Sequence, residues 1–321
     1  MGLVPIGLYL ALGFQANAVV RQFVSLVESA DAVLVAPGGA NIGVYADWRF
    51  LVRILLSIKV GATPIFHWNT IGASANSLFN RISRYALRRS KLYVRERKSQ
   101  QYLQKIGLPS ELGPDTAFLL DPIKKEDERR VLAFVPSCLD SWHPFFRTHN
   151  VDHAIMEEFV PKIVEFAANE GYRVEILPHL RTEEEMILDR KIADRFVSGG
   201  IDASFRSDIM DYAQYDYAIS QASLVIGMRY HACVLAAKNA RPFLSLAYEN
   251  KAVELSGYTN MHEYVINLQD PRANADALSS MLYKLQNNAK QIEAMLEETV
   301  RNTLVPRISL IVEKEVLQRE Q

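Results

Sequence analysis

The feature that most constrains this chain is a regular alternation of short apolar runs with helical periods. Residues 32–36 (AVLVA) form an apolar run closed by Pro37-Gly38-Gly39, the length and punctuation of a buried parallel strand. Residues 47–58 carry apolar side chains at 48, 51, 52, 55 and 56, a helical period, and residues 62–68 (ATPIFHW) read as a second strand. A helix over 78–87, a strand over 91–94 and a helix over 96–106, stopped by Gly107, continue the series. Strands that alternate with helices predict a parallel sheet covered on both faces.

The charged, Pro-containing run at 121–130 (DPIKKEDERR) has no periodicity and reads as a boundary. After it the scheme restarts: strands over 131–136, 173–178, 224–226 and 243–247, with helices over 155–167, 184–196, 209–219 and 231–238. Helices over 275–285 and 292–304 follow, and Pro306 is expected to kink the chain before a last helix at 308–316. The expected architecture is α/β, with two Rossmann-like parallel-sheet domains facing a cleft. The N-terminal domain spans 1–125, the C-terminal domain 126–290, and terminal helices at 291–321 pack back on the first. Ligands of such sheets sit beyond the carboxyl ends of the strands, so the chemistry is sought in the loops that follow them.

Composition narrows the class of protein. With 321 residues, 49% apolar and 23% charged, the chain has material for two cores and is neither disordered nor a disulfide scaffold. A net charge of −1 argues against a nucleic-acid binder. Cys138 and Cys233 lack a CxxC partner and read as reduced thiols. Residues 1–14 are almost wholly apolar and precede Ala16-Asn17-Ala18, but no Lys or Arg precedes the run, and Pro5, Gly7 and Gly13 interrupt it. A signal peptide or membrane span is disfavoured, and a cytoplasmic location is expected. Charge is uneven along the chain. Residues 81–105 hold nine basic residues against Glu96 alone, either a solvated helix face or an attraction for a phosphorylated substrate or for an anionic membrane's inner face. Residues 152–194 carry 11 acids against five bases and read as solvent-facing helices.

The segment richest in chemistry is 223–251, SLVIGMRYHACVLAAKNARPFLSLAYENK. A strand ends at Ile226, Gly227 allows a tight turn, and Arg229 and His231 open the next helix, whose N-terminal N–H groups and partial positive charge favour an anion. Arg229 offers a fork suited to carboxylate or phosphate, and His231 can exchange a proton near neutral pH. The competing reading is a surface Arg and a core His that happen to follow a strand.

Gly-Met-Arg-Tyr-His-Ala at 227–232 and Ala-Tyr-Glu-Asn-Lys-Ala at 247–252, separated by one helix and one strand, resemble the C-terminal signature of the polysaccharide pyruvyltransferase family. The rest of the chain agrees in order: a Gly-Gly turn at 37–41, an Ile-Gly loop at 69–73, Arg-Glu-x-x-Ser at 95–99 and Asp-x-Ala-Phe-Leu-Leu at 115–120. The resemblance covers residues 30–260 and implies a GT-B-like fold. It also implies transfer of the enolpyruvyl group of phosphoenolpyruvate to a sugar of an exopolysaccharide, a cell-wall glycan or its lipid-linked precursor, with release of phosphate.

On this reading Arg229 binds the donor's carboxylate or phosphate, His231 transfers the proton and the helix N-terminus receives the leaving phosphate. Neither a metal nor a cofactor is required beyond phosphoenolpyruvate as donor substrate. Lys251 matches the family turn and would pair with phosphate, and Glu249 would orient His231 or serve as base; a surface ion pair is the plain alternative. Gly38, Gly39 and Asn41 form a loop whose N–H groups could hold an oxygen-rich ligand, or simply a tight turn. Arg95 is a substrate-side candidate or a bridge between sheet and helix, and Asp115 a turn or cap residue.

Three departures stand out. Relatives begin with a strand and an Asn-x-Gly-Asp loop, and the 36 residues before Pro37 are too few to hold them, which predicts an incomplete N-terminal domain. The turn Pro136-Ser137-Cys138 lacks an Arg common in relatives, leaving Arg147 or Arg181 to supply that contact. The cluster of His143, His149 and His153 with Asp140 and Asp152 matches no zinc spacing. Trp142, Phe145 and Phe146 could stack on a sugar ring or pack beneath their loop, and Cys233 reads as a buried filler. Two other functions share the expected architecture: a nucleotide-sugar-dependent glycosyltransferase and a non-catalytic subunit of a polysaccharide assembly system.

Overall fold

A computed structural model describes residues 18–126, 130–140, 146, 149–270 and 275–316. The apolar start at 1–14 and the residues Trp142, His143, Phe145 and Arg147 lie outside them. The chain divides into two compact units, residues 1–116 with 304–321, and residues 117–303.

The first unit carries helix α1 (Ala18–Glu28), strand β1 (Val33–Val35), helix α2 (Trp48–Lys59), strand β2 (Pro64–Asn69), helix α3 (Ser77–Leu87), strand β3 (Lys91–Val94), helix α4 (Arg97–Lys105) and strand β4 (Glu111–Leu112). The helices start where a short polar side chain can accept an orphan N–H. Asp47 takes the Phe50 N–H at 3.0 Å to open α2, and Asn76 takes that of Phe79 at 3.0 Å to open α3. The four strands are parallel in the order β1-β2-β3-β4. Beneath them Leu51, Phe66, Phe79, Leu87, Val94 and Leu103 form a shared core. Each such side chain, removed from water, contributes about 1.5–3 kcal/mol. The chain returns to this unit at Leu304, and its final helix α13 (Val305–Val316) is held by Glu315, which accepts from the Tyr93 hydroxyl at 2.7 Å and pairs with Lys91.

The second unit begins with a strap. The Ile123 N–H donates to Asn239 Oδ1 at 2.8 Å, Lys238 Nζ donates to the Asp121 carbonyl at 2.9 Å, and Gln221 bonds Lys124 and Glu126. These bonds satisfy the backbone of a charged segment that has no periodicity of its own. Strand β5 (Val131–Val135) follows, then the short helix α5 (Val151–Ala154) and helix α6 (Val160–Glu170), strand β6 (Arg173–Ile176), helix α7 (Glu183–Ser198), strand β7 (Ala203–Phe205) and helix α8 (Tyr212–Gln221). Strand β8 (Leu224–Gly227), helix α9 (Tyr230–Lys238), strand β9 (Phe243–Ala247), helix α10 (Asn250–Tyr258), strand β10 (Val265–Asn267), helix α11 (Ala275–Asn287) and helix α12 (Ala289–Thr299) complete it. The sheet is parallel, ordered β10-β9-β8-β5-β6-β7. Every residue of β5, β8 and β9 is buried, which explains why these strands read as continuous apolar runs rather than alternating ones.

The topology fixes where a ligand belongs. From β5 the chain builds outward to β6 and β7, then returns to lay β8 against the other side of β5. The connections leave these two central strands in opposite directions, and the crevice beyond their carboxyl ends is the switch point of an open α/β sheet.

Two departures from the periodicity have one cause. Turns of π-helix occupy Ile155–Phe159 and Val300–Leu304, and each lies just before a Val-Pro pair, at 160–161 and 305–306. A proline removes an N–H and its ring collides with the carbonyl four residues back, so the preceding turn widens. The kink expected at Pro306 is such a turn. Helices α1 and α10 and strands β4, β7 and β10 went unread; the strands are only two or three residues long, and α10 begins inside the motif turn at 247–252.

Candidate functional site

At the switch point the second unit gathers polar groups from four adjacent strands. Gly227 ends β8. Its backbone is not in the left-handed region, so a tight turn is not the reason for glycine there. A Cβ at this position would lie 2.6 Å from the Cys233 Sγ, and the glycine lets α9 close onto the strand. Cys233 is wholly buried, and burial pushes its thiol up to about 12, so it fills space and does not react.

Arg229 is the N-cap residue of α9 and makes no side-chain cap bond to the helix. Its side chain turns inward. The residue is 9% exposed, its Nη1 donates to the Tyr248 hydroxyl at 3.2 Å, and its Nη2 is paired with Glu185. Burial works against the Arg229 charge, but Tyr248 and Glu185 outweigh it and raise its pKa. Its Nε is buried without a hydrogen-bond partner among the described residues. Arg229 is thus a fixed positive charge beneath the surface rather than a fork open to solvent.

His231 lies two residues on, exposed, in the first turn of α9. Its ring is nearly parallel to that of His179, at 14°, with centroids 6.3 Å apart, and Tyr230 packs edge-on beside it. Lys251, half-buried in the first turn of α10, sits with Nζ 5.6 Å from the Tyr230 ring and pairs with Glu249. Glu249 therefore neutralises Lys251 in this state. Arg229, His231, Glu249, Lys251 and Gly227 are brought together by neighbouring strands β8 and β9.

Sequence reasoning missed the other half of the site. His179 follows Pro178 at the carboxyl end of β6, and its Nδ1 lies 3.3 Å from the Tyr215 hydroxyl of α8. Burial, then the charges of Arg229, His231 and Lys251, lowers its pKa to about 3, so it is a neutral imidazole at physiological pH. Glu185 and Asp189, one turn apart on α7, reach the same place. Burial, reinforced by Glu185, holds the Asp189 carboxyl at about 8, and neither of its oxygens has a hydrogen-bond partner among the described residues. Asp189 is therefore protonated at neutral pH; burial raises the Glu185 carboxyl as well, and the Arg229 guanidinium it meets opposes that shift. A histidine directly after Pro178, just past the end of β6, is a signal the sequence did contain. Glu185 and Asp189 sit in a helix so acidic that nothing marks two of its carboxylates as internal.

The loop after β5, where the resemblance implies an arginine, is held by carboxylates. Asp152 accepts from the Leu139 N–H at 2.7 Å and the Asp140 N–H at 3.1 Å, and Glu185 accepts from the Cys138 N–H at 3.2 Å. Arg181 does not fill the arginine's place. Its Nη1 donates to the carbonyls of Ile209 at 2.6 Å and Ser207 at 3.3 Å.

The first unit gathers the remaining candidates. Arg95, 3% exposed, donates to Asp115 at 2.7 Å, to the Gly38 carbonyl at 2.9 Å and to Thr70 Oγ1 at 3.3 Å. It fastens the loops after β1 and β2 to the segment after β4, a structural duty that occupies all three guanidinium nitrogens. Gly38 offers its carbonyl inward, and the Asn41 N–H is taken by the Gly39 carbonyl at 2.8 Å, so that donor serves the loop itself. Trp68, wholly buried and in the left-handed region at φ 58°, packs on Gly113, where a Cβ would overlap its indole at 2.0 Å. Among the described residues no group of three or more His, Cys, Asp or Glu could hold a metal ion, and no helix is long and apolar enough to cross a membrane.

Comparison with known proteins bears on this geometry. No curated protein matches the chain in sequence. Among solved structures, the Anabaena protein HepE in complex with UDP and glucose is similar at 12% identity and TM-score 0.57, covering 96% of this chain and 83% of that one. UDP-GlcNAc 2-epimerase from Neisseria meningitidis bound to UDP-GlcNAc is similar at 12% identity and TM-score 0.55, over 97% and 88%. A putative UDP-N-acetylglucosamine 2-epimerase from Listeria monocytogenes gives 12% identity and TM-score 0.54, over 87% and 72%. At such identity the likeness is one of fold, that of GT-B glycosyltransferases and epimerases with two parallel-sheet α/β domains. The family model for polysaccharide pyruvyl transferase matches residues 5–250, a stretch that contains the β8–α9 and β9–α10 turns, and the chain belongs to that family of transferases.

Proposed function

We propose that the chain transfers a pyruvyl group from phosphoenolpyruvate to a sugar of an exopolysaccharide, a cell-wall glycan or its lipid-linked precursor, at the carboxyl edge of the second unit's sheet. The observation that supports this most is the convergence of His231 and Lys251 at the surface with Arg229 fixed below them. All three act on the His179 imidazole, so a small donor with two anionic groups would meet a guanidinium, an ammonium and one exposed imidazole there.

The chemistry proceeds in two steps. One sugar hydroxyl adds to C2 of the enol while C3 gains a proton, and a second hydroxyl then displaces phosphate to close the ketal. His231 supplies the proton to C3 and accepts one from the attacking hydroxyl. Lys251 exchanges Glu249 for the departing phosphate, assisted by the positive end of α9. Arg229 contributes positive potential from beneath, held by Glu185 and Tyr248. His179, neutral beside His231, adds no competing charge. Phosphoenolpyruvate is a cytoplasmic metabolite, so a cytoplasmic location belongs to the same reading.

The test is phosphate release from phosphoenolpyruvate in the presence of a panel of glycosides. His231→Ala is expected to lose about 10²–10⁴-fold in rate, and equal release by the variant would remove His231 from the mechanism. A second reading, transfer from a nucleotide sugar, draws on the fold likeness to proteins solved with UDP or UDP-GlcNAc. Turnover of a UDP-sugar without phosphoenolpyruvate would favour it.

A further inference from the structure

The basic stretch of the first unit is not used by the site described above. No Asp or Glu occurs between Asp47 and Glu96, and α3 with its C-terminal turn carries Arg81, Arg84, Arg88 and Arg89, all exposed. A cavity of about 610 Å³ opens along this helix, lined by the four arginines together with Tyr85 and by Tyr102 of α4. The arginines are not spent on carboxylates. Arg84 donates to the Ile106 carbonyl at 2.9 Å and Arg89 lies over the Tyr85 ring at 3.8 Å. The side chains of Arg81 and Arg88 have no hydrogen-bond or ion-pair partner among the described residues.

The spacing matters as much as the charge. Leu78, Arg81, Tyr85 and Arg88 recur at helical intervals on one exposed stripe, where Leu78 is 55% and Tyr85 49% exposed. An ordinary solvated face has no use for a leucine and a tyrosine among unpaired arginines. Guanidinium groups bind phosphate oxygens bidentately, and an exposed tyrosine and leucine between them suit the boundary of headgroup and acyl chain.

We propose that this stripe docks the first unit on a membrane surface rich in anionic phospholipid, the arginines holding headgroup phosphates and Leu78 and Tyr85 entering the interface. The inference does not depend on pyruvyl transfer. Where both hold, docking brings the enzyme to the surface on which a lipid-linked saccharide is carried.

Cosedimentation of the full chain with vesicles tests it. Binding is expected to vesicles of phosphatidylglycerol mixed with phosphatidylcholine and not to phosphatidylcholine alone, and to be released as salt rises from about 0.15 M to 1 M, where screening shortens from about 8 Å to 3 Å. Arg81→Gln, Arg88→Gln and Arg89→Gln combined are expected to weaken partitioning on the order of a hundredfold, at about fivefold for each charge. Tyr85→Ser is expected to weaken it while leaving the salt dependence in place. Equal binding to neutral and anionic vesicles, or an unchanged triple variant, would overturn the proposal. Full displacement by millimolar inorganic diphosphate would replace it with a small-anion pocket, and tighter binding to RNA than to vesicles would replace it with a nucleic-acid surface. The lipid and salt comparisons use the unaltered protein, so they stand even if the triple variant folds poorly.

Discussion

Asp189 is one of the buried residues through which folding responds to pH. Its carboxyl, buried and held at about 8, keeps a proton that the unfolded chain loses near 3.8. Stability therefore falls as pH rises through that window. His179 acts in the opposite sense. The unfolded imidazole takes up a proton below 6.5 while the folded one refuses it down to about 3, so stability falls as pH drops. Between about 4 and 6.5 the His179 slope opposes that of Asp189, to which the raised Glu185 adds, and above 6.5 the His179 slope is gone. Asp189→Asn, which keeps the shape and the neutral state, is expected to hold its stability across pH 6.5–8 while the parent loses on the order of 1–2 kcal/mol. Chemical denaturation at several pH values measures this, and parallel curves for the two proteins would mean that Asp189 is ionised in the fold. None of this was legible in the sequence. Arg229 and His231 announce themselves by following a strand and a glycine. The groups that set their electrostatics come from α7 and the end of β6, 40 or more residues away, and meet them only through tertiary packing.

Secondary-structure elements were the most legible level, because buried parallel strands are written as unbroken apolar runs. Residues 91–94 and 243–247 fold as strands with the bounds their pattern indicated, and the helices differ by a few residues at their ends. What the pattern hid were short edge strands and the reasons for particular residues. Gly227 looks like a turn glycine, yet what it provides is room for Cys233. Gly227→Ala is expected to cost about 1–3 kcal/mol by overpacking. Adding Cys233→Ala should recover most of that loss, since the colliding sulfur is gone. Thermal unfolding of the two single variants and the double variant checks it. Additive losses would show that the glycine is required for its backbone and not for the gap.

For the whole molecule, near-neutral charge conceals an asymmetry. The first unit, residues 1–116 and 304–321, holds sixteen Lys and Arg against nine Asp and Glu, a net +7, which leaves −8 for the second. The acidic excess of the second unit extends to Glu185 and Glu249, which pair with Arg229 and Lys251 where β8 and β9 end. The basic excess of the first has its densest part on α3. Fold and family were therefore readable from ordered motifs, whereas the pairing of Arg229 with Glu185 and of Lys251 with Glu249 needed side-chain positions. The central claim is that the pocket around His231 joins pyruvate to a sugar. Mass spectrometry of the glycoside after incubation with phosphoenolpyruvate tests it most directly. The account predicts a product heavier by one pyruvate less one water, formed in equal amount to the phosphate released and absent with His231→Ala. Phosphate release with an unaltered glycoside, or the same product from the His231→Ala variant, would contradict it.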